Sequence, residues 1–66
     1  MNIREYIVNN FKSDEIDTIK NTIEESIKSR EEIVLPGLGV LFETLWEHSD
    51  NELKKTMLDI IKNNLT

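Results

Sequence analysis

Ile16, Ile19, Ile23 and Ile27 recur at steps of three and four, and this spacing restricts the fold more than any other feature of the chain. Isoleucine is β-branched and loses side-chain freedom in a helix, so intrinsic preference alone does not select helix here. A strand would send Ile16 and Ile19 to opposite faces, whereas a helix gathers all four into one stripe. The same rule operates elsewhere. Ile3, Ile7 and Phe11, with Tyr6 beside them, fall on one helical face, as do Leu38, Leu41, Phe42, Leu45 and Trp46, and then Leu53, Met57, Ile60 and Ile61. The expectation is an all-α fold, a single domain over residues 1–66 built from four short helices.

Local signals set the boundaries. Helix 1 is expected over residues 2–10. Ser13 is the expected N-cap of helix 2, with Asp14 and Glu15 in a first turn that favours negative charge, and that helix should end near Lys28. Ile33, Val34 and Leu35 read as a short extended run, because the residue before a proline is biased away from helical geometry. Pro36 then suits the first turn of helix 3, where its missing N–H is no loss. Ser49-Asp50-Asn51-Glu52 has the form of a capping box, with Ser49 as the cap of helix 4, and Leu65 extends that helix toward the C-terminus.

The chain has 66 residues and no cysteine, which excludes disulfides and thiolate metal sites and leaves a small unstapled core of modest stability. Thirteen acidic against eight basic side chains give a net charge of −5. Neither half hides a basic patch, since residues 1–34 carry five basic and eight acidic side chains and residues 35–66 carry three and five. Nucleic acid, whose phosphates must be neutralised by cations, is therefore an unfavourable partner. The N-terminal MNIREYIVNN lacks a basic region followed by an apolar run, and no apolar segment approaches the roughly 20 residues that span a bilayer. A soluble intracellular protein without a membrane partner is expected.

One stretch departs from the rest. LPGLGVLFETLW, residues 35–46, contains the single proline, both glycines and the single tryptophan. The glycines do not form a phosphate loop, because the GxxxxGK pattern is absent and the following residues are apolar and then acidic. The candidate packing or interaction motif is Leu35, Pro36, Gly37, Leu38, Gly39, Leu41, Phe42 and Trp46. Its expected role is a tightly packed helix start, with Gly37 and Gly39 allowing close approach of a neighbour and Trp46 as a core anchor or an interface residue. On that reading, Gly39→Ala overpacks the site and lowers the melting midpoint, while Glu43→Ala changes it little. No catalytic, cofactor-binding or metal-binding residues are expected. The pairs Glu24-Glu25 and Glu31-Glu32 diverge by about 100° on a helix. Glu43 and Glu47 share a face without the E-x-x-H pattern of a di-metal site. His48 has no nucleophile and acid around it. Four short helices cannot cover every apolar stripe, so a homodimer, or docking to an unidentified protein, is expected.

Two resemblances bear on function. IKSREEIVLPGLGVLFE is similar to the segment of bacterial histone-like proteins in which helices lead into a strand and a G-F-G-x-F turn. That likeness implies an alternative α+β fold with a hairpin over residues 31–46, and a small DNA-binding architectural protein. Those proteins continue into basic strands, whereas this chain continues ETLWEHSDNE. Over nearly its whole length the chain resembles the small, acid-soluble spore protein I family, a minor spore-core group of endospore-forming bacteria. The likeness rests on LPGLGVLFE followed by Trp46, on Thr22, Ile23, Ile27, Ser29, Glu31 and Glu32 upstream, and on ELKKTMLDIIKNNL downstream. It implies production during sporulation, residence in the spore core and no known reaction. DNA coating, the work of the abundant α/β-type spore proteins, is not carried over, because their T-E-F/I-A-S-E type segment is absent here.

Overall fold

The computed structural model describes residues 2–66. Four α-helices follow in order, α1 (Ile3–Phe11), α2 (Ile16–Ser29), α3 (Leu35–Glu47) and α4 (Asn51–Asn64), with a single 3-10 turn at Glu32–Val34 between α2 and α3. No strand occurs among the described residues, so the hairpin alternative over residues 31–46 fails; those positions form the 3-10 turn and most of α3.

The caps differ in detail from the sequence reading. Asn2 caps α1, its side-chain oxygen accepting from the Glu5 N–H at 2.8 Å. Helix α2 begins at Ile16 with Glu15, not Ser13, at the cap position, and no side chain caps it. Asp50 rather than Ser49 caps α4, accepting from the Leu53 N–H at 2.8 Å. The Ser49 hydroxyl instead donates to the Leu45 carbonyl at the end of α3, a competing local bond characteristic of serine. Arg30 closes α2 in the left-handed region with φ 54°, the only non-glycine residue at positive φ among those described. Leu35 was expected to be extended but is helical, with φ −59° and ψ −42°. The preceding 3-10 turn, in which the Leu35 N–H donates to the Glu32 carbonyl, already holds it in that geometry.

Packing is thin. Val40, at 8% exposure, is the only buried residue among those described, and α3 lies mainly against α1. The radius of gyration is 13.0 Å, against about 11 Å for a compact chain of this length. Accessible surface is 5955 Å², where a compact monomer of this mass exposes about 4,300 Å². Helix α2 turns Thr22 and Ser26 toward the groove it shares with α1 and α3. Its isoleucine stripe lies round the helix from them: Ile16, Ile19 and Ile23, with Lys20 and Glu24, line a separate surface depression. The sequence stripe is real, but the chain's own helices leave it largely uncovered.

The apolar motif and its two grooves

Helical geometry splits the LPGLGVLFETLW motif between two faces of α3. Pro36, Gly37, Leu38 and Leu41 line an open groove of about 430 Å³ with Ile3, Ile7 and Phe11 of α1. Phe42 and Trp46 look the other way, toward a second groove of about 430 Å³ completed by Leu58 and Ile61 of α4 and edged by Glu43 and Glu47. Val40, which lines neither groove, is the buried pivot of α3. Six of the eight predicted residues therefore divide between two surfaces, and Leu35 and Gly39 line neither. Leu35, Pro36, Gly39 and Phe42 are exposed, while Gly37, Leu38, Leu41 and Trp46 are half-buried.

The tight packing expected at the glycines is absent. A Cβ placed on Gly37 or Gly39 would meet no heavy atom within 4 Å, and neither glycine has positive φ. Trp46 is not a core anchor. Its ring sits 5.9 Å from that of Phe42, tilted by 36°, and the Lys54 ammonium lies 5.2 Å above it, within cation–π range. That contact joins α3 to α4 through a charged side chain whose stem covers aromatic surface.

Polar groups connect the elements at the periphery. The Arg4 guanidinium donates to both carboxylate oxygens of Glu43 at 2.9 Å, a two-pronged bond from α1 to α3. These hydrogen bonds, aided by the attraction of the two charges, hold Glu43 below the usual carboxylate range and raise Arg4 further. Both partners remain solvent-exposed, at 61% and 46%, so the bridge orients the helices more than it stabilises them. His48 Nδ1 is 2.8 Å from the Thr44 carbonyl; that oxygen can only accept, so the ring nitrogen donates. No group of three or more acidic, histidine or cysteine side chains suited to a metal ion occurs among the described residues. No described helix is long and apolar enough to cross a membrane.

Periodicity identified most apolar members of both grooves, but sequence reasoning missed Leu58, Val40, Arg4 and Lys54. The Arg4–Glu43 pair spans 39 positions and has no local signature.

A profile of the family described as small, acid-soluble spore protein I matches residues 1–65. The chain belongs to that family. Similar relatives, each named small, acid-soluble spore protein I, include one from Bacillus velezensis, 40% identical over 65 residues, covering 98% of this chain and 92% of the relative. One from Geobacillus kaustophilus is 40% identical over 62 residues, covering 94% and 90%. One from Bacillus subtilis is 37% identical over 65 residues, covering 98% and 92%. No solved structure matches the chain. The family is named for the spore and for acid solubility, and not for a reaction.

Proposed function

We propose that this member of the spore protein I family is a non-enzymatic protein of the spore core, made during sporulation, that works by binding another protein through the second face of its apolar motif. The supporting observation is the groove between α3 and α4. Phe42 and Leu58 keep 42% and 53% of their surface exposed on a chain whose only buried residue among those described is Val40. An aromatic-floored groove between two helices suits an amphipathic segment laid along it. Glu47 at its edge favours a basic residue flanking that segment's apolar side chains, whereas Glu43 is already held by Arg4. An acidic chain with no basic face is poorly matched to phosphate, so the DNA-binding alternative draws no support from the surface.

The experiment is an affinity capture from spore-core extract with the natural chain and with Phe42→Ser, whose helicity is first checked by circular dichroism. A protein retained by the natural chain and lost with the folded variant supports the reading. Identical capture by both, or tight DNA binding that falls steeply with added salt, refutes it.

A further inference from the structure

We infer that the isoleucine stripe of α2 is a self-association surface, and that a second copy of this chain packs on it with the two α2 helices antiparallel. The inference rests on other residues than the partner groove and does not depend on that reading.

Three observations carry it. The stripe is incompletely covered by the fold: Ile16 is 83% and Ile27 58% exposed, and Ile19 and Ile23 are half-buried and line a depression bounded by α2 residues. The chain also exposes about 1,600 Å² more than a compact monomer of its mass, against the roughly 600 Å² per protomer that a small specific interface removes. Fourteen residues of helix are about 21 Å long, which places an α2 pair in that small, reversible class.

The third observation is charge. Lys20 and Glu24 lie together on one flank of the stripe, both largely exposed and only loosely paired within the helix at 4.0 Å. The stripe is centred between positions 21 and 22, because Ile16 and Ile27, and Ile19 and Ile23, are spaced almost evenly about that point. A two-fold axis there, running perpendicular to an antiparallel pair, brings the same flank of each helix together. Lys20 then stands across from Glu24 of the second copy, and Glu24 across from its Lys20. A parallel pair has no such match, since it sets this flank against the Thr22 and Ser26 side. The antiparallel contact is isologous and closed, so it stops at a dimer.

The test uses sedimentation equilibrium over a wide concentration range, with circular dichroism confirming helicity. The natural chain should move reversibly between monomer and dimer. Ile16→Glu, at a position the monomer leaves exposed, should raise the dimer dissociation constant roughly tenfold to a hundredfold. K20E and E24K should each weaken self-association, and mixing the two variants should restore it, because every opposed pair is then complementary. Monomer alone up to the solubility limit overturns the inference. So does a dimer indifferent to Ile16→Glu, or an equimolar mixture that associates no better than either single variant.

Discussion

Gly39→Ala gives the sharpest test of how α3 is packed. Gly39 is the fifth residue of the helix, exposed, with no heavy atom within 4 Å of where a Cβ would sit. The new methyl meets nothing, so no overpacking opposes it, and the change removes only the entropy that glycine loses on entering a helix. That gain is about 0.5–1 kcal/mol. For a domain of this size the unfolding entropy converts it to a rise in melting midpoint of about 4–7 °C. The assay is thermal unfolding followed by far-UV circular dichroism at a protein concentration low enough to keep the chain monomeric. A fall in midpoint would refute the reasoning, since it would mean that a neighbour approaches Gly39 more closely than the fold shows.

Further predictions concern the pivot, the caps and the bridge. Val40→Ala empties the only buried position among the described residues and should cost about 1–2 kcal/mol after alanine's better helix preference is subtracted, read as a lower urea midpoint. Asp50→Ala should cost about 1 kcal/mol by removing the cap of α4, while Ser49→Ala, which loses only a bond to the Leu45 carbonyl, should shift the thermal midpoint far less. Glu43 is held below its ordinary pKa by Arg4, so its contribution to stability is present above the ordinary carboxylate range and is lost as pH falls through the depressed folded value. The stability gap between the natural chain and Glu43→Gln should accordingly be open at neutral pH and close in acid. Denaturation curves across that range would show the reasoning wrong if the gap widened on acidification.

The helices were legible because periodicity is local: four apolar stripes gave four helices with ends within about two residues, inside the usual slack of helix boundaries. Caps were harder, since adjacent Ser49 and Asp50 can both serve chemically and only the backbone entering α4 decides between them. The residues of the motif were readable, but its division into two faces and the space around Gly39 were not. Spacing tells which side of a helix a residue occupies and nothing of how near the next helix comes. The α2 stripe shows the same limit, because its pattern announces burial without saying whether the chain itself supplies the cover. Arg4 and Glu43 meet only through the path of everything between them.

That path has a kinetic consequence. The bond between α1 and α3 encloses α2 and both its turns and so closes a sizeable loop, while most of the remaining structure is helix formed from neighbouring residues. Loop-closure entropy grows only with the logarithm of length, and mostly local structure is associated with folding on the order of microseconds to milliseconds. Helices α2 and α4, each 14 residues long, can nucleate independently, leaving the arrival of α1 on α3 as the slow step. Changes at Arg4, Leu38 or Leu41 should then register in the folding rate, whereas changes on α4 register mainly in the unfolding rate.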